Sequence, residues 1–260
     1  MSDQEIKQRV QEQFGATAQS YVTSPGHAHG GDLARMLELA GPRGYEHMLD
    51  IATGGGHTAL AFAPHVQSVV ASDLTPAMLA AAEAFIRGRG AANVRFERAD
   101  AEALPFASAS FDLVTTRIAP HHFPNPARYV AEVARVLRPG GRFVLNDNMA
   151  PEDDELSAFI DRAEQWRDPS HVCNYRPSAW RGWIEAAGMR VEHVEPLQAK
   201  RYDFADWAAR MRMPAPEQAA LEQWLIAAPE RCRQYFDVLI EAGHVRSLAG
   251  TYGIIVAVNG

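Results

Sequence analysis

The sequence predicts an α/β protein in which a mostly parallel sheet is wound with helices on both faces. Three observations predict it. From residue 47 onward, short apolar runs alternate with segments of helical period. Several of those runs are continuously apolar, as strands buried on both faces are. The first run breaks on glycines and turns straight into a helix, a junction that lets a ligand approach the backbone.

The elements follow in order. Residues 3 to 14 carry Ile6, Val10, Gln13 and Phe14 at helical spacing, so an amphipathic helix is expected. TSPGHAHGGD (23–32) reads as a loop, with Asp32 capping the helix LARMLELAG that Gly41 and Pro42 end. The expected strands are HMLDIA (47–52), SVVASD (68–73), VRFER (94–98), FDLVTT (111–116) and GRFVLND (141–147). Between them lie TALAFAPH, TPAMLAAAEAFIRGRG and PARYVAEVARVLRPGG. Thr75 before Pro76 is an N-cap followed by an N1 proline, and LRPGG stops a helix and turns into a strand. Beyond Asp147 the pattern predicts helices at 153–166 and 178–187, a strand at 189–197, mostly helix over 204–244 and a strand at 251–259. No linker appears between 150 and 190, so one domain is expected, divided as 1–43, a core of 44–148 and a C-terminal half of 149–260.

The 25 Lys and Arg against 32 Asp and Glu leave a net charge of −7, which argues against a nucleic-acid partner. Cys173 and Cys232 are too few and too far apart for a disulfide framework or a zinc pattern. The start, MSDQEIKQRVQEQF, lacks the apolar segment of a secretory leader, and no apolar run approaches the ~20 residues of a membrane span. A cytoplasmic protein with no membrane partner is expected.

The stretch MLDIATGGGHTAL (48–60) raises the question of ligand. GGGHTA satisfies the dinucleotide fingerprint G-x-G-x-x-A, and Asp73 lies ~20 residues on, where a ribose-binding acid belongs. A nicotinamide-dependent oxidoreductase is therefore open. Asp50, just before the turn, would repel a pyrophosphate brought to the same helix N-terminus. S-adenosylmethionine offers an ammonium, a sulfonium and an adenosine but no phosphate, and suits Asp50 better. The plain alternative is that Asp50 is a turn or cap residue.

Three further motifs follow in order: RADAEALPF (98–106), SFDLVTTRIAPHHF (110–123) and EVARVLRPGGRFVLND (132–147). With the glycine turn, they make the chain resemble the class I S-adenosylmethionine-dependent methyltransferases, in the quinone-biosynthesis-like group called type 11. The resemblance is continuous over about 44–148, and RDPSHV (167–172) resembles a bacterial branch of that group. It implies a doubly wound, Rossmann-like, seven-stranded sheet with the last strand antiparallel, here 251–259 beside 189–197. The connection between those strands then starts at the ligand-binding edge. The helical insertion at 204–244, with Trp207, Met211, Met213, Trp224, Tyr235 and Phe236, is expected to be a substrate cap or dimer contact, or else a small core of its own. Deleting 204–244 should cost turnover before cofactor binding.

The resemblance also assigns residues. The family turn, acid-x-Gly-x-Gly-x-Gly, corresponds to Asp50, Ala52, Gly54 and Gly56, with Ala52 replacing the first glycine and adding a methyl toward the methionine part. Asp73 would accept from both ribose hydroxyls. Leu74 and Met78 would pack the adenine faces, although Met78 reads equally as core. Asp100 would take the exocyclic amine and the Ala101 backbone a ring nitrogen. Arg117 would bind cofactor at the end of the fourth strand. His121 and His122 are the candidates for substrate contact or general base, with at most one touching substrate and the other packing locally. FGATAQSYV (14–22) resembles the family lid, with Tyr21 closing over the methionine carboxylate. His27 and His29 lack the further ligands a metal needs; no metal is expected, and they are placed at the mouth of the site. His171, Tyr175 and Arg176 are expected to reach the site. The implied reaction is direct methyl displacement onto a small-molecule acceptor at O or C, with a homodimer possible. A non-catalytic S-adenosylmethionine-binding module is the third reading, hinted at by Ala52.

Overall fold

A computed structural model of the chain describes residues 2–22 and 30–260. Helix α1 spans Asp3–Gly15, opened by a reciprocal capping box between Ser2 and Glu5, and α2 spans Ala18–Val22. Helix α3 is Gly31–Ala40. The alternation then runs β1 (His47–Ile51), α4 (His57–Phe62), β2 (Ser68–Asp73), α5 (Pro76–Gly88), β3 (Val94–Arg98), β4 (Phe111–Arg117), α6 (Pro126–Val136) and β5 (Leu137–Asn148). The C-terminal half adds α7 (Asp154–Arg167), α8 (Pro177–Ala186), β6 (Met189–Val194), β7 (Gln198–Asp203), α9 (Phe204–Arg210), α10 (Ala215–Ile226), α11 (Glu230–Tyr235), β8 (Leu239–Glu241) and β9 (His244–Asn259).

One sheet runs β3-β2-β1-β4-β5-β9-β6. β1 pairs in parallel with both β2 and β4, so the strand order reverses beside β1. In open α/β sheets that switch point is where ligands bind, at the carboxyl ends of the strands. β9 returns antiparallel between β5 and β6. The alternation of each strand sends its residues to two cores. Leu49, Ile51, Val114, Phe143 and Ile255 meet α6 and α8 through Tyr129, Val133, Trp180 and Ile184. Met48, Val69, Leu113, Val144 and Val256 meet α3, α4 and α5 through Met36, Phe62 and Ile86.

Three expectations need correction. The final strand begins at His244 rather than 251, and among the described residues β7 and β8 pair with its first half, adding two short strands to the expected seven. β7 reads QAKRYD and is mostly exposed, so no apolar period marks it in the sequence. Asp32 is not the cap of α3; Gly30 holds that position, and the Asp32 carboxylate is occupied by Arg117. The insertion does form a core of its own. Trp207, Leu221, Leu225 and Phe236 pack on Phe159 and Ile160 of α7 and on Leu248 of β9, whereas Tyr235 faces solvent. Deleting 204–244 would also remove the partners of Phe159, Ile160 and Leu248.

Candidate active site

A cavity of about 1000 Å³ opens at the carboxyl ends of β1, β2 and β4. Of the residues singled out in the sequence, Tyr21, Ala52, Gly54, Asp73, Leu74, Met78, Asp100, Ala101, Arg117 and His122 line it. Asp50, Gly56 and His121 do not. Residues 23–29, with His27 and His29, lie outside the described residues.

Asp50 points into the protein. Its carboxylate accepts from Thr53 Oγ1 at 2.6 Å and Thr115 Oγ1 at 2.7 Å, and it is 1% exposed. Burial pushes its pKa up to about 6 against those two hydrogen bonds. Asp50 thus ties β1 to β4 and the turn, the turn-residue alternative of the sequence reading. Gly56 shapes the turn from behind: its φ is +83°, and a Cβ there would meet Ile86 Cδ1 at 2.8 Å. Ala52 sits at φ +54°, the left-handed region a glycine would occupy without strain.

Asp73 ends β2 with both oxygens aimed into the turn, accepting from Gly54 N at 3.0 Å and Thr75 N at 2.8 Å. Each carboxylate oxygen keeps a further lone pair for a diol. Asp100 is held from above: Lys7 Nζ of α1 donates to it at 2.7 Å and to Glu102 at 2.7 Å. With Val10, Phe14 and Tyr21, Lys7 makes the N-terminal helices one wall of the cavity. Lys7 is a site residue that the helical period of α1 alone did not reveal. Tyr21 packs edge-on against Phe14 at 5.5 Å, and burial raises its phenol to about 12, so it stays protonated as a donor. Arg117 is engaged bidentately by Asp32, at 2.7 and 3.1 Å.

The next residue, Ile118, has φ +53°. A β-branched side chain there is a true backbone outlier, and such strain collects at ligand sites. It is held by Ile118 N donating to the Asn146 carbonyl at 2.8 Å. The turn it creates presents His121 and His122, both buried, in a short 3₁₀ segment, Pro120–His122.

The two histidines differ. His122 Nδ1 lies 2.9 Å from the Ser170 carbonyl, which can only accept, so Nδ1 carries the proton and Nε2 is the acceptor. Burial, then the neighbouring His121, push its pKa down to about 3, so the ring is neutral. His121 Nδ1 lies 2.6 Å from Asp147 Oδ1, while the buried Asp147 Oδ2 has no partner. Burial pushes Asp147 up to about 8 and His121 down to about 3. The uncharged pair follows: the carboxyl donates to Nδ1, and His121 keeps its N–H on Nε2. Segment 167–174 braces this arrangement, with Val172 N and Cys173 N both donating to the His121 carbonyl and the His171 ring 5.4 Å behind. Tyr175 and Arg176 do not reach the cavity; the first donates to Phe123 O and the second is turned to Glu152 and Asp154.

A stability prediction follows. Asp147 is raised above its unfolded value, so its contribution is complete at low pH and is lost as pH rises toward 8. The two lowered histidines act oppositely, losing their contribution as pH falls from ~6.5 toward 3. Between about pH 6.5 and 8, stability should fall by up to ~1.4 kcal/mol per pH unit. Asp147→Asn keeps a donor to Nδ1 and should flatten that limb. Thermal unfolding of both proteins at pH 6.5 and 8 checks it; a steep loss in Asp147→Asn at pH 6.5 would show a charged pair instead.

A second cavity of about 550 Å³ adjoins the first, sharing Phe14, Tyr21, Ile118 and His122 and adding His121 from the histidine turn. Trp207 and Met211 of the insertion border it, so one end of that insertion does reach the site.

A glycine turn, the strand-end acids Asp73 and Asp100 and the switch point together define a nucleotide- or nucleoside-binding α/β fold. The comparisons agree. A family profile described as a methyltransferase domain matches residues 49–145. The uncharacterized methyltransferase YcgJ of Bacillus subtilis is 38% identical over 231 residues, covering 87% of this chain and 89% of that one. The crystal structure of BH2331 from Bacillus halodurans, described as a candidate methyltransferase, superposes with a TM-score of 0.86 at 41% identity, over 88% of this chain and 99% of that one. A demethylmenaquinone methyltransferase of Thermus thermophilus is 41% identical over 114 residues, 43% of this chain and 51% of that one. This chain belongs to the S-adenosylmethionine-dependent methyltransferases of the type 11 group. Its cofactor is S-adenosylmethionine. Among the described residues, no helix is long and apolar enough to cross a membrane.

Proposed function

We propose that the protein methylates a small-molecule acceptor at oxygen or at an activated ring carbon, by direct displacement, with His122 as the base. One observation carries this reading: His122 stands in the wall shared by the two cavities with Nδ1 committed to a carbonyl, leaving Nε2 to take a proton. When bound, S-adenosylmethionine supplies an electrophilic methyl on its sulfonium. Asp73, Leu74, Met78, Asp100 and Ala101 would hold the nucleoside, and the Asp73 carboxylate would accept the ribose diol. Tyr21 and Phe14 close the cavity from the N-terminal side and exclude water. Phe14, Ile118 and His122 align the acceptor, and the proton it loses passes to His122 Nε2. Relatives named demethylmenaquinone methyltransferase favour a ring acceptor over an amine or thiol.

Calorimetry with S-adenosylhomocysteine and with NADH, followed by methyl transfer from labelled S-adenosylmethionine to a panel of phenols and hydroquinones, tests the reading. Binding of the homocysteine nucleoside alone, with label on a phenol or ring carbon, is expected. Label appearing on amines or on tRNA instead would sink it, and binding without transfer to any compound would favour a non-catalytic module.

A further inference from the structure

The second cavity has an uneven charge. On its histidine side every carboxylate is already engaged. Glu164 accepts from Arg167 at 2.7 and 2.9 Å, and Asp168 accepts from the Ser170 hydroxyl at 2.6 Å and its N–H at 2.9 Å. On the opposite side stand two cations, Lys200 of β7 and Arg210 at the end of α9. Among the described residues neither makes an ion pair. Lys200 Nζ has only the Tyr202 ring, at 5.8 Å. Asp32 faces it, but its carboxylate is paired bidentately with Arg117 and makes no ion pair with Lys200. Burial of Lys200 weakens its ammonium, as expected of a cation lacking a counter-ion. Aromatic faces, Tyr202 and Trp207, border the same space.

The cofactor side is the reverse. There Lys7 is paired with Asp100 and Glu102, and Arg117 with Asp32, so among the described residues no cation is left without a carboxylate partner, and Asp73 adds an acid. Two neighbouring cations without an ion-pair partner, both lining the second cavity, form an anion seat. We propose that the acceptor is a hydroxylated aromatic ring bearing an anionic substituent, a carboxylate or a phosphate, with that substituent seated on Lys200 and Arg210 and the reacting atom toward His122. This rests on the methyltransferase reading and names its substrate class. Lys200 and Arg210 are then specificity residues; neither touches the methyl group.

The probes are 4-hydroxybenzoate, 3,4-dihydroxybenzoate and phenyl phosphate, against neutral 4-hydroxybenzyl alcohol and catechol. Each is titrated into the full chain saturated with S-adenosylhomocysteine. At least one anionic probe should bind about 10–100-fold more tightly than the neutral ones, the range of a charge-assisted hydrogen bond. Carboxylate and phosphate probes report which anion the seat prefers. Lys200→Met with Arg210→Met should abolish the preference, Lys200→Arg should retain it, and S-adenosylhomocysteine affinity should not move in any of them. Lys200 is half-buried and Arg210 is exposed, so folding should survive. The inference is overturned if neutral probes bind as well as anionic ones, if no anionic probe binds, or if the preference outlasts the double substitution. Failure of S-adenosylhomocysteine to bind at all would instead put the fault in the methyltransferase reading, and the inference would fall with it.

Discussion

Replacing His122 with glutamine is expected to lower kcat by about 10–10²-fold, the low end for a lost general base, because burial makes this imidazole a weak one. Affinity for S-adenosylhomocysteine should stay nearly constant, because the nucleoside-facing acids lie elsewhere in the cavity. The asymmetry of the histidine pair sets the control. His121 borders only the second cavity, and its Nδ1 is taken by Asp147, so His121→Gln should cost less in kcat and more in stability. The pH profile discriminates further. Burial and His121 hold His122 near 3, so the base is unprotonated throughout the neutral range. No acid limb near the ordinary imidazole value of ~6.5 should appear in kcat/KM. Full activity in His122→Gln, or a limb at that ordinary value, would remove His122 from the role of base.

Gly56→Ala should be strongly destabilising although the residue does not face the cavity. Two effects add. At φ +83° an L residue is strained by ~1–2 kcal/mol. The new Cβ would also meet Ile86 Cδ1 at 2.8 Å and Ala82 Cβ at 3.2 Å, and overpacking of this kind costs ~1–3 kcal/mol. The sum, about 2–5 kcal/mol, corresponds to a Tm loss of roughly 5–15 °C in a chain of this size. Adding Ile86→Val removes the Cδ1 atom, so the double variant should recover part of the packing loss but none of the backbone strain. Scanning calorimetry on the two single variants and the double variant gives the coupling directly. A Tm for Gly56→Ala within a degree of the wild type would mean that the turn relaxes freely, and that Gly56 does not fix the α4–α5 packing.

Much of the lining of the first cavity was legible in the sequence because its parts are local. Asp73, Leu74, Asp100 and Ala101 follow strand ends directly, and a strand end in a parallel sheet necessarily lies at the binding edge. Lys7, Ile118, Lys200 and Arg210 were not legible. Lys7 reaches Asp100 across 93 residues of chain, and nothing in the helical period of α1 says which face it covers. Lys200 sits on a strand without apolar alternation, so neither β7 nor its direction could be read. Asp147 was visible as a strand-end acid in FVLND, and its distance of 26 residues from His121 hid the pairing.

What the sequence by itself determined is the order and type of the elements from β1 to β5, the glycine turn and the acids at the strand ends. These depend on hydrophobic period, capping and turn chemistry within a few residues of one another. Only the tertiary structure decided which polar groups are already consumed. Asp50 is satisfied by two threonine hydroxyls, Arg117 by Asp32, and His121 by Asp147, whereas His122 commits its Nδ1 to the Ser170 carbonyl. A residue's type states what it can donate or accept. Whether that capacity remains available is set by partners brought together from distant parts of the chain, and burial makes each such pairing decisive.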